Sequence, residues 1–280
     1  MKTLIINSSH YIANSGNQYV YNLPQSTRFE AGDQIGVASI AMYNSTFNIT
    51  AARQNNTFTI VWNANFTYTF TLVFPDGYYS VQDMNNYLQY YCLSNGLYCT
   101  TNNGSTNVYF LEIVVNATRY AIQLNSYFLP SAANAATLGY AMPLSVAWSF
   151  PASNSTPQMT FGANFGALLG FPALTLPPSI QTINYSQISS ITPIISPVNT
   201  YIMCCNLISS KYSMPNNTFF ALPLNAGLGS LIIMNPSQIV FNDIASNVYT
   251  QIVITFYDQL FNKLQINDIE LTLTLAIKEK

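Results

Sequence analysis

Ile269, Leu271, Leu273, Leu275 and Ile277 alternate with Glu270, Thr272, Thr274 and Lys278, and the same period of two recurs over most of the chain. Successive residues of a strand face opposite sides of a sheet, so this run predicts one buried face and one open face. Tyr, Phe, Val, Ile and Thr fill such runs while Asn, Gly and Pro interrupt them, the pattern of short strands joined by turns. The fold class is therefore all-β. Strands are expected at residues 18–23, 34–43, 57–62, 67–74, 200–208 and 249–257. The last of these is expected to pair with the C-terminal strand through the turn at 258–267. Residues 34–43 are apolar on both faces, as an inner strand is.

One segment breaks the period. Ser80 and Asp83 have the spacing of a capping box, and Val81, Met84, Leu88 and Tyr91 then recur at helical spacing opposite Gln82, Asn85, Asn86 and Gln89. A helix over about 81–93 is expected, closed by Asn95 and Gly96. A β-hairpin over about 108–124, turning at 116–119, follows as its support. Residues 129–197 are rich in Pro, Ala and Ser and are expected to wrap rather than form a sheet of their own. The strand count fits a single eight-stranded jelly roll, a β-sandwich, carrying an inserted small α+β module. Its domains are then 1–75 with 197–280 for the jelly roll, and 76–196 for the insertion domain with its helix, hairpin and uncharged tail.

Charge is the second constraint. Lys, Arg, Asp and Glu make up 6% of the 280 residues, and none lies between Arg119 and Lys211. An ordinary domain carries about a quarter. A folded chain of this mass exposes roughly 12,000 Å², so charges fall several times more sparsely than usual. A surface of that kind sheds little hydration on docking, and a net charge of −2 favours association over solubility. Polar residues break every apolar stretch before the roughly 20 residues that a membrane-spanning helix needs. Residues 1–16 lack the apolar core of a secretory signal. Folding inside a cell is expected, and the Asn-X-Ser/Thr triplets at Asn44, Asn48, Asn65, Asn116, Asn154 and Asn216 are then chance occurrences.

The chain offers little for chemistry. Its single histidine, His10, reads as solvated or capping. Cys92, Cys99, Cys204 and Cys205 match no metal-ligand spacing and read as buried thiols, although an oxidising setting would allow a bridge between Cys92 and Cys99. Asp268 and Glu270 share a strand face, the one pairing that a glycosidase could use, but they stand beside a turn. Asp76 before Gly77 reads as turn chemistry. No phosphate-cradling glycine loop with lysine and no basic patch for nucleic acid is present. The expected catalytic, cofactor and metal sites are accordingly none, and the chain is expected not to be an enzyme.

The order of segments resembles a known family. Residues 29–50 read F-E-A-G-D-Q-I-G-V-A-S-I-A-M-Y-N-S-T-F-N-I-T, and 75–89 read P-D-G-Y-Y-S-V-Q-D-M-N-N-Y-L-Q. V-Y-F-L-E-I-V-V-N at 108–116, Y-A-I-Q-L at 120–124, L-L-G-F at 168–171, C-N-L-I at 205–208 and F-Y-D-Q-L-F-N-K-L-Q-I-N-D at 256–268 follow in order. Together they resemble the penton, or minor capsid, proteins of virophages and Polinton-like viruses. The resemblance implies a structural role in the virion of an icosahedral double-stranded DNA virus. A homopentamer would form each vertex capsomer and contact trimers of a double-jelly-roll major capsid protein, with assembly inside the host cell. The alternative is a receptor- or glycan-binding jelly-roll head, for which Trp62 and Trp148 are the candidate stacking residues.

Overall fold

The computed structural model describes residues 1–101 and 104–280. Three strands come first: β1 (Lys2–Asn7), β2 (Gln18–Phe29) and β3 (Gln34–Tyr43). Next are β4 (Thr57–Asn63), β5 (Thr67–Val73), helix α1 (Val81–Ser94), β6 (Cys99–Thr101), β7 (Asn107–Val108), β8 (Leu111–Asn116) and β9 (Ala121–Ser126). Helix α2 (Ala132–Ala135), β10 (Tyr140–Ala141), β11 (Gln158–Phe161), helix α3 (Ala163–Leu169), β12 (Leu174–Leu176) and β13 (Tyr185–Ile188) follow. The chain closes with β14 (Thr200–Cys205), β15 (Thr218–Pro223), β16 (Leu231–Met234), β17 (Phe241–Asp243), β18 (Asn247–Tyr257) and β19 (Leu271–Lys278). The fold is mainly β.

Two units emerge, one discontinuous (Met1–Thr46 with Val198–Lys280) and one continuous (Phe47–Pro197). In the discontinuous unit one sheet runs β1-β19-β3, with β16 and β17 lying end to end along the free edge of β3. The other runs β15-β14-β18-β2, and every pairing in both is antiparallel. Leu271, Leu273, Leu275 and Ile277 of β19 share one core with Tyr201, Met203, Ile252, Ile254 and Phe256 of the opposite sheet. Each such side chain contributes about 1.5–3 kcal/mol by burial.

The double-sided apolar pattern of β3 has a local cause. Thr274 faces Ser39 while Leu275 faces Val37, so Ala38 is the extra residue of a β-bulge. The bulge shifts the phase: Ile35 and Val37 point to the core before it, Ile40 and Met42 after it. Gly36 is fixed by close approach, since a Cβ there would meet the Ile239 side chain and lie 2.8 Å from the Val240 carbonyl oxygen.

In the continuous unit the sheets run β12-β11-β4-β5, β13-β9-β8 and β10-β6-β7 around a second core. Phe58 and Phe165, with ring centroids 5.1 Å apart, and Phe161, stacked on Phe165 at 5.7 Å, lie at its centre. Helix α1 begins as the sequence predicts: Ser80 Oγ accepts the Asp83 N–H at 3.1 Å and the Asp83 carboxylate accepts the Ser80 N–H at 3.0 Å. Val81, Met84, Leu88 and Cys92 form its buried face.

Several expectations are corrected. β4 and β5, expected in the discontinuous unit, lie in the continuous one: β4 pairs with β11, and the chain leaves the discontinuous unit after residue 46 rather than 75. It returns at Val198. The uncharged tail adds short strands to sheets begun elsewhere in the chain: β11 pairs with β4, β12 with β11 and β13 with β9. β18 does not pair with β19. It lies between β14 and β2, and the connection at 258–270 crosses from one sheet to the other. Ile269 falls within that connection and is exposed, so the alternation holds only from Leu271. Asn85, placed on the open face of the helix, is buried and accepts the Ile113 N–H at 2.9 Å.

Candidate functional surface

The ten carboxylates are all occupied within their own units. In the continuous unit Asp76 accepts the Ala51 N–H at 2.7 Å, Asp83 caps α1, and Glu112 accepts from Asn125 and from the Tyr127 hydroxyl, each at 2.8 Å. In the discontinuous unit Glu30 pairs with Arg28 and Glu279 with Lys2. Asp33 accepts the N–H groups of Glu30 and Lys280, which hold its carboxyl below the usual range. Asp243 accepts from Gln34, and Asp258 folds its own loop by accepting the N–H groups of Leu260 and Asn262.

Asp268 and Glu270 do not sit on a strand. Both precede β19, where Asp268 accepts the Glu270 N–H at 3.0 Å and Glu270 accepts from the Ser8 hydroxyl at 3.2 Å. Ser45 fixes this loop from the end of β3, its hydroxyl accepting the Asp268 N–H at 2.9 Å. The two carboxylates thus serve as turn acceptors. His10 has a capping part, its Nδ1 accepting the Asn7 N–H at 3.1 Å.

All four cysteines are buried free thiols, Cys92 and Cys99 included. Burial pushes Cys92, Cys99 and Cys205 up to about 12, far from the lowered range of a reactive thiolate. Among the described residues no three of His, Cys, Asp and Glu converge as a metal-holding group, and no helix is long and apolar enough to cross a membrane.

The indoles proposed for sugar stacking are core residues. Trp62 is 0% exposed and Trp148 5%. Their rings meet edge to face at 5.4 Å, and Trp148 Nε1 donates to the Gly96 carbonyl at 2.7 Å. Trp62 Nε1 is buried without a hydrogen-bond partner. Asn48, in one of the Asn-X-Thr triplets, is also inside: its amide donates to the carbonyls of Tyr79 and Ile195 and accepts the Tyr79 N–H, leaving nothing for a glycan.

What the surface does present is apolar and neutral. In the continuous unit Leu144, Tyr120, Phe66 and Ile183 are each at least 70% exposed. A groove of about 540 Å³ runs between Val115, Tyr120 and Ile122 on one side and Pro193, Ile194 and Ile195 on the other, and none of its lining residues is charged. A second depression of about 370 Å³ is lined by Thr57, Thr59, Thr71, Thr160, Gln54 and Asn164 among others, again without a charge. Surfaces of this composition suit contact with other protein surfaces. The sparse charge is legible in the sequence, but nothing in the sequence marks the residues of either depression as a contact surface.

Among solved structures, the chain is similar along its whole length to the selenomethionine-labelled mavirus penton protein, with a TM-score of 0.45, 10% identity and 98% of that chain covered. It is likewise similar to a chain of the cryo-electron microscopy structure of the Sputnik virophage, with a TM-score of 0.36, 11% identity and 98% coverage. No protein-family model matches the chain, and no curated protein matches it.

Proposed function

We propose that this chain is a penton subunit, the minor capsid protein at the vertices of an icosahedral double-stranded DNA virion, built on a single eight-stranded jelly roll. The strand order carries the reading. Counting the discontinuous unit's strands along the chain, with β16 and β17 as two halves of the sixth, the sheets read 1-8-3-6 and 5-4-7-2. That is the order of two interlocked Greek keys, and the insertion opens between the third and fourth strands. The ordered motifs in the sequence support the same family.

Function then follows from surface chemistry. Five-fold closure repeats one head-to-tail contact around a ring, and each repeat costs little when few charges lose water. The uncharged grooves and loops of the continuous unit are the parts suited to sibling subunits and to major capsid protein trimers. The carboxylates, committed to turns, caps and pairs, support a structural rather than a catalytic role.

Quantitative mass spectrometry of purified particles tests the reading. A vertex subunit is present in a small, fixed ratio to the major capsid protein. A chain equal to it in abundance, or missing from washed particles, overturns the proposal.

A further inference from the structure

Charge in the discontinuous unit is segregated. Every one of its charged residues lies outside a strand or in the first or last two positions of one, so acids and bases gather at the two ends of the sandwich. They offset one another there: Lys2 pairs with Glu279 and Arg28 with Glu30. Between those ends, the two sheet faces turned away from the core carry no charge. Leu271, Leu273 and Leu275 point to the core from one sheet and Ile252, Ile254 and Phe256 from the other, so the residues between them make up the open faces.

The two open faces differ in relief. On the first sheet the pairing register sets Ile5, Thr274 and Ser39 in one row, and Thr272, Ala41 and Ile233 in the next. Small side chains thus fill the middle strands β19 and β3, while Ile5 and Ile233, 54% and 59% exposed, stand on the outer strands β1 and β16. The result is a trough two strands wide with an apolar side chain on each rim. The opposite sheet carries its bulk on the middle strands instead. Ile202 of β14 faces Tyr257 of β18, with Ala221 beyond on the outer strand β15, and Val253 of β18 continues this ridge beside Val20.

We propose that these faces meet in successive copies of this chain, the trough of one seated on the ridge of the next. Facing sheets interdigitate at a spacing of about 10 Å, and neither face has a charge to desolvate on closing. Each spans four strands by about six residues, roughly 400 Å². A copy within a ring buries both, roughly 800 Å², which is one partner's share of a standard interface. Trough and ridge are different surfaces, so the contact is head-to-tail and repeats until it closes. A foreign partner would need only one of them. The pairing adds the sandwich faces to the surfaces that siblings share, and it rests on the capsid reading for closure at five copies.

Cross-linking of the full chain at high concentration tests it. The native thiols are buried, so Thr274→Cys marks the trough and Val253→Cys the ridge for a bismaleimide matched to the sheet spacing of about 10 Å. The chain with both cysteines is expected to give a ladder ending at five copies, and each single-cysteine chain to stay monomeric. Ala41→Glu, which sets a charge on the trough floor, is expected to weaken the ladder about tenfold or more while the thermal melt matches the parent. No ladder from the double-cysteine chain, or dimers as abundant from one cysteine as from two, overturns the pairing and leaves the vertex reading to particle stoichiometry. A ladder that runs past five copies upholds the pairing and counts against the vertex.

Discussion

The Tyr91 hydroxyl donates to the Thr71 carbonyl at 2.9 Å, and one helical turn earlier Tyr87 donates to the Val73 carbonyl at 3.0 Å. β5 is the outer strand of its sheet, so these two carbonyls belong to an edge left open to any other strand. On its other flank the same helix uses Asn85 to satisfy the Ile113 N–H of β8, the outer strand of a second sheet. Helix α1 thus closes two sheet edges with neutral groups, where many proteins use lysine.

Replacing both tyrosines by phenylalanine keeps the rings and removes the two donors. Stability falls by roughly 1 kcal/mol per bond at most, and the opened edge promotes self-association. Urea melts with light scattering at rising concentration check this. A double variant as stable and as monodisperse as the parent contradicts the edge-closing role.

Alkaline pH tests the thiol environment. The unfolded chain releases thiol protons near pH 9, whereas Cys92, Cys99 and Cys205 hold theirs up to about 12 in the fold. Above pH 9 the unfolded state therefore binds fewer protons, and stability falls as pH rises toward 12. Denaturant midpoints should decline above about pH 8.5. At neutral pH the four thiols should ignore Ellman's reagent until the chain is unfolded, because all are buried.

The indole pair gives a spectroscopic check. Trp148→Phe keeps an aromatic ring against Trp62 but leaves the Gly96 carbonyl without its donor, costing about 1–3 kcal/mol. Parent emission should be blue-shifted, resistant to iodide and unchanged by added oligosaccharides. A saturable sugar-dependent change lost in Trp148→Phe would revive the glycan-binding alternative.

What the sequence discloses depends on how local the determining contacts are. α1 is legible because its apolar face lies within its own 14 residues and its capping box adds only the preceding Ser80, and β19 because its buried face repeats every second position. The choice of sheet for β18 is not local: its sequence suits a hairpin with β19 equally well, and only the shared core at Ile252, Ile254 and Phe256 separates the two strands into facing sheets. β4 and β5 read correctly as strands, but β11, the neighbour that claims them, is only four residues long and is flanked by Pro157 and Gly162. The edge-closing tyrosines did carry a signal, two hydroxyl-bearing rings at i and i+4 on the flank of an amphipathic helix. Recognising it requires knowing that an unpaired strand lies alongside.

An icosahedral reconstruction of the purified virion tests the central claim most directly, that this fold and its sparsely charged surface serve the vertex of a shell. The account predicts that density at each five-fold axis is filled by five copies of the β1-β19-β3 and β15-β14-β18-β2 sandwich, with neutral surfaces buried between neighbours. Density for this chain on the facets alone, or five-fold density that only a different chain fits, would contradict it.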